Sequence, residues 1–133
     1  MIEIFVDGRS LGTKGAGYTV LLRSGRIERK KSFKCGNFTS NQMELKAIEF
    51  GLRSIKPGYE KEKIIVRSGG KFGSLMLARR SNEWYKVVKS NPSLTNEVRR
   101  LWLGFPNIQI ISDPDSPTII KLRLDTDDII KNS

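Results

Sequence analysis

Phe5-Val6-Asp7-Gly8-Arg9-Ser10-Leu11-Gly12-Thr13-Lys14-Gly15-Ala16-Gly17-Tyr18 is the stretch that decides the fold. Just before it, Ile2 to Val6 alternates and is rich in apolar, β-favouring side chains, which predicts a strand. Gly8, Gly12, Gly15 and Gly17 then mark a turn or bulge before a second strand, Tyr18 to Arg23. Asp7 closes the first strand. An acid at the end of a central strand stands where an α/β site opens, and the glycines behind it let a phosphate backbone come close. Asp-Gly also serves plain turns, and these residues alone leave both readings open.

Beyond it, Ser24-Gly25-Arg26 is a hairpin signal and Ile27 to Lys34 a third, edge-like strand of mostly polar character. Three strands with short connections imply an antiparallel meander. Thr39 or Ser40 caps a helix, with Met43 or Glu44 three to four residues further on. Met43, Ala47, Phe50 and either Leu45 or Ile48 recur at helical spacing through Leu52, and Pro57-Gly58 ends the element. Ile64-Ile65-Val66 is a short, wholly apolar strand, expected in the sheet centre and parallel to the first. Phe72 to Tyr85 and Ser93 to Leu103 predict two more helices, and Ile108 to Ile111 a fifth strand. Ile119 to Asn132 fits strand, helix or both.

The expected architecture is a single α/β domain over residues 1–133. Its mixed five-stranded sheet has strands 1–3 antiparallel, strands 4 and 5 parallel to strand 1, and helices on its faces. Hydrophobic residues at 38% and charged residues at 29% suit a folded globular chain. No apolar run approaches the roughly 20 residues of a membrane span. Glu3 stands where a secretion signal carries positive charge, so no targeting segment and a cytoplasmic location are expected; a monomer with no membrane contact is expected as well. One cysteine, Cys35, excludes an internal disulfide, and the lack of histidine excludes His-based triads and bases.

The net charge is +10, and it is uneven. From residue 113 onward five acids (Asp113, Asp115, Asp125, Asp127, Asp128) face three bases (Lys121, Arg123, Lys131), leaving residues 1–112 with a net +12. Such an excess suits a polyanion, most simply nucleic acid, although a Lys- and Arg-rich surface also serves solubility. Glu44 lies in the first helical turn among neighbours that look core-facing. A carboxylate at a core edge is costly to ionise unless a cation is close. A capping glutamate at the third helical position is equally natural.

Taken together, Phe5 to Tyr18 resembles the first motif of the ribonuclease H family: an apolar strand, Asp-Gly, and spaced glycines returning to a second strand. Thr39-Ser40-Asn41-Gln42-Met43-Glu44-Leu45-Lys46-Ala47 resembles its second, in which Thr-Asn-Asn-Arg-Met-Glu-Leu opens the first helix. The order of strands and helices agrees over nearly the whole chain. The resemblance implies a ribonuclease H-like fold and an endonuclease that cleaves the RNA strand of RNA/DNA hybrids with two Mg²⁺ (or Mn²⁺) ions held by four carboxylates. It assigns Asp7 as the bridging metal ligand, Glu44 as a second ligand, and Asp127 as the ligand from the last helix. It also assigns Gly8, Arg9, Thr39, Ser40, Asn41 and Gln42 to the nucleic-acid surface, where a wide minor groove displays 2′-hydroxyls.

The third carboxylate is missing. The family's fourth strand ends in Thr-Asp-Ser followed by Tyr, whereas this chain has Ile64-Ile65-Val66-Arg67-Ser68-Gly69-Gly70-Lys71-Phe72. Aligning Phe72 with the tyrosine puts Gly69 at the aspartate, and a shift of one puts Ser68 there. The family's loop histidine is absent as well, and Asp113-Pro114-Asp115-Ser116-Pro117 stands in its place: a surface turn, or the source of a replacement ligand in Asp113 or Asp115. Three functions follow as alternatives: a hybrid- or duplex-binding domain with impaired catalysis, a hydrolase with a relocated ligand, or a silent structural module. Trp84, Tyr85, Trp102 and Phe105 fit a core better than base stacking. Lys86, Lys89, Arg99 and Arg100 form either a substrate-gripping patch or an ordinary solvated face.

Overall fold

A computed structural model describes residues 1–77 and 92–132. Strands β1 (Ile2–Ser10), β2 (Ala16–Ser24), β3 (Ile27–Cys35), β4 (Ile64–Ser68) and β5 (Ile108–Ser112) form one sheet in the order β3-β2-β1-β4-β5. β1 pairs antiparallel with β2 and parallel with β4, and β4 runs parallel to β5. The fold expected from the sequence is the fold observed. β1 runs four residues beyond the alternating apolar stretch, because Asp7 to Ser10 keep pairing with Thr19 to Ala16. Gly12 and Gly15, at φ of 63° and 105°, make the tight connection to β2.

Helices α1 (Ser40–Arg53), α2 (Phe72–Leu77), α3 (Pro92–Leu103) and α4 (Pro117–Asn132), with a short 3-10 turn at Gly12–Lys14, complete the described elements. On one face, Ile4, Val6, Val20 and Val66 pack against Met43, Ala47 and Ile48 of α1 and Val98 of α3. Strand alternation sends Phe5 and Leu21 to the other face, where they meet Ile119 and Leu122 of α4. β1 is therefore buried on both sides, and its carboxyl end lies between α1 and α4.

The last segment resolves as a helix. Ile119, Leu122, Thr126 and Ile130 are its buried stripe. Pro117 suits the first helical turn, and the Ile120 amide bonds the Ser116 carbonyl. Exposed Ile120 and Leu124 blur that stripe in the sequence. Trp102 and Phe105 pack against the core, as expected. The second predicted helix is described only through Leu77, and Trp84, Tyr85, Lys86 and Lys89 lie outside the described residues.

Candidate functional site

Asp7 is 2% exposed, at the end of the central strand. Burial pushes its carboxyl up to about 6, despite the nearby Arg123 and Arg9 guanidinium groups. Its Oδ2 is buried with no hydrogen-bond partner among the described residues. Its Oδ1 lies 3.6 Å from Nε of Arg123 on α4.

Glu44 is buried on the other side of the strand ends, just past the first turn of α1 and not within it as the sequence suggested. Its Oε2 accepts from the Ser68 hydroxyl at 2.7 Å and from the Gly73 amide at 2.9 Å. Burial raises its carboxyl above the ordinary range, and those hydrogen bonds pull the other way. The cap of α1 belongs to Thr39, whose hydroxyl accepts from the Gln42 amide while the Gln42 side chain accepts from the Thr39 amide. Glu44 is thus free of capping duty.

Between the two carboxylates run Gly69 and Gly70. The Gly69 amide donates to the Val6 carbonyl, setting residue 69 beside Asp7. A Cβ on Gly69 would stand 2.7 Å from Asp7 Oδ1 and 3.3 Å from Arg123 Nη2. A Cβ on Gly70 would run into Glu44 Oε1. The structure thus brings Asp7 and Glu44 to the same pair of glycines and puts no carboxylate between them. Ser68, the other candidate for that position, faces Glu44 as a hydrogen-bond donor.

Asp127 does not join them. It sits one helical turn beyond Arg123 and accepts from Arg9 Nε at 2.8 Å. Residues two apart on a strand share a face, and residues four apart on a helix share a side. Asp7 and Arg9 of β1 therefore meet Arg123 and Asp127 of α4 as two opposed ion pairs. Alignment by acid identity picked Asp127, whereas the helix face puts Arg123 against Asp7. Asp113 lies 3.8 Å from Arg67, which also binds Glu3, so it is no ligand beside Asp7. Asp115 is exposed on its turn.

The remaining candidates line one rim. Gly8 abuts α1 so closely that a Cβ would run into the Glu44 amide nitrogen. The Ser10 amide donates to Ser40 Oγ at 3.1 Å, and Thr39, Ser40 and Asn41 are exposed. On α3, Arg100 is tied to Glu97, which also pairs with Arg53. That favours a solvated ion network over a patch that grips substrate.

The fold family implies divalent metal, and the donors present do not fit a two-metal centre. Among the described residues no three acidic or cysteine side chains converge as such a site needs. Among the described residues the unpartnered Asp7 Oδ2 is the one carboxylate oxygen that calls for a cation, and a guanidinium already stands beside the same carboxylate.

No protein-family model matches the chain. Ribonuclease H of Wigglesworthia glossinidia brevipalpis is 32% identical over 96 residues, 71% of this chain and 57% of that protein. The chain spans about half the length of the curated relatives it matches. RNase H1 from the halophilic archaeon Halobacterium salinarum superposes with a TM-score of 0.74 at 20% identity, covering 99% of this chain and 98% of that one. LC11-RNase H1, solved in complex with an RNA/DNA hybrid, gives 0.68 at 19% identity over 98% and 99%.

Proposed function

We propose that this chain, which has the ribonuclease H fold and relatives in the ribonuclease H family, binds RNA/DNA hybrid or a related duplex without cleaving it by the two-metal route. The observation that carries this is the ion pair of Arg123 with Asp7 beside Gly69. Two divalent ions around a scissile phosphate need several carboxylates in one place, and here one position is glycine and a neighbouring one is a cation. Losing such a ligand set costs several kcal/mol of transition-state stabilisation, at tenfold in rate for each 1.4 kcal/mol or so.

Binding makes smaller demands. The exposed N-terminus of α1, the Ser10–Ser40 contact and the net charge of +10 suit a phosphate backbone. That LC11-RNase H1 was solved with a hybrid supports the same partner for this fold. A hydrolase with a relocated ligand is disfavoured by the Arg67 contact of Asp113.

The test is the anisotropy of a fluorescent RNA/DNA hybrid titrated with protein across a salt series. Affinity that falls steeply and linearly in log–log form is the expected result, and hybrid bound no better than a neutral polymer would overturn the proposal.

A further inference from the structure

Arg123 has room, charge and exposure that a mere structural ion pair does not need. Its Nη2 lies 3.3 Å from the point where any side chain at residue 69 would begin, so the glycine is what gives the guanidinium its place. Its side chain is 32% exposed, whereas that of Asp7 is 3% exposed. One edge of the group faces Asp7 Oδ1, and the side chain as a whole is partly exposed. The next turn of α4 is held to β1 by the Arg9–Asp127 bond, which steadies the helix that carries it.

We propose that Arg123 is a built-in cation in this site, which receives a phosphodiester of the bound nucleic acid with no divalent metal. This rests on the duplex-binding function proposed above. A guanidinium is charged at every accessible pH and presents five donors in a planar fork. Asp7 needs only part of that fork, and the remaining donors match two phosphate oxygens side by side. The same group has no means to make hydroxide from water, because it neither loses its proton nor coordinates oxygen. Neutralising the phosphate and cleaving it, two tasks that metal ions perform together, are separated here. Gly69 and Arg123 then form one coupled feature: a side chain at 69 would displace the guanidinium, and without the guanidinium Asp7 would repel the phosphate.

The experiment compares hybrid affinity in EDTA and in Mg²⁺ at matched ionic strength, for the unsubstituted protein, Arg123→Gln and the Asp7→Asn/Arg123→Gln pair. The pair keeps the test valid if the single variant unfolds, since it leaves no buried acid without a counter-ion. Equal affinity in both buffers is expected for the unsubstituted protein, with about a tenfold loss in the pair, the size of a charge-assisted contact, and a larger loss in Arg123→Gln alone, where Asp7 keeps its charge. Binding that appears only with Mg²⁺, or an Asp7→Asn/Arg123→Gln protein that binds as tightly as the unsubstituted one, would overturn the proposal. No binding in either buffer would instead remove the duplex-binding function and this proposal with it.

Discussion

Nε of Arg123 lies 3.6 Å from Oδ1 of Asp7, and Gly69 leaves the space in which that guanidinium sits. Asp7 is buried with its other oxygen unpartnered among the described residues, so the arginine is its nearest compensation. Arg123→Met removes that compensation. Urea unfolding at pH 7 should show a loss of about 1–2 kcal/mol, reduced by the partial exposure of the arginine. At pH 5, where Asp7 takes up a proton, the loss should shrink. A loss equal at both pH values would mean that the arginine acts through packing alone.

Stability should carry the mark of Asp7 directly. Its carboxyl is raised from 3.8 to about 6, so the folded state holds its proton where the unfolded state has released it. The contribution is full below about pH 4 and is lost as pH rises through 6. Asp7→Asn has no such proton to lose. It should gain on the unsubstituted protein between pH 4 and pH 7 by about 2 kcal/mol, read from paired denaturation curves. Glu44, raised in the same direction, should still give a slope of that sign in the variant.

Two glycine substitutions should differ in cost. Gly8→Ala sets a Cβ against backbone atoms of Met43 and Glu44 in a capped helix, which has no room to retreat. Gly69→Ala meets the ends of the Asp7 and Arg123 side chains, together with Ile119. Thermal melts should place Gly8→Ala at about 2–3 kcal/mol of destabilisation and Gly69→Ala nearer 1. The reverse order would mean that the Asp7–Arg123 pair is held more rigidly than the strand–helix contact.

Restoring carboxylates should restore a response to metal. Gly69→Asp combined with Arg123→Asp puts two acids beside Asp7 and removes the cation. Mg²⁺ should raise the Tm of that double variant, because a ligand bound only by the folded state stabilises it. The unsubstituted protein should melt at the same temperature with and without Mg²⁺.

Much of this is legible in the sequence. Alternation in Ile2–Val6 and the apolar Ile64-Ile65-Val66 run gave the central strands, since period-2 burial leaves a plain trace. The Gly69 gap was equally plain, because motif spacing counts residues and needs no packing. Arg123 was not. Its role depends on which side of α4 meets β1, and with Ile120 and Leu124 exposed on that helix the sequence shows no clean stripe. Asp127 drew attention as an acid in a tail of acids, yet only the helical turn between it and Arg123 decides that it meets Arg9. The sequence offers Thr39 both as a helix cap and as a nucleic-acid contact, and the structure shows it closing a capping box with Gln42. A short polar side chain at a helix start carries the same sequence signal for either task.

Cleavage of a labelled RNA/DNA hybrid in Mg²⁺ and in Mn²⁺, beside an Asp7→Asn control, separates binding from catalysis at this site. Intact RNA in both metals, under conditions where the protein is shown to be bound to the hybrid, is the predicted result. Metal-dependent cleavage that disappears in the Asp7→Asn protein would contradict it.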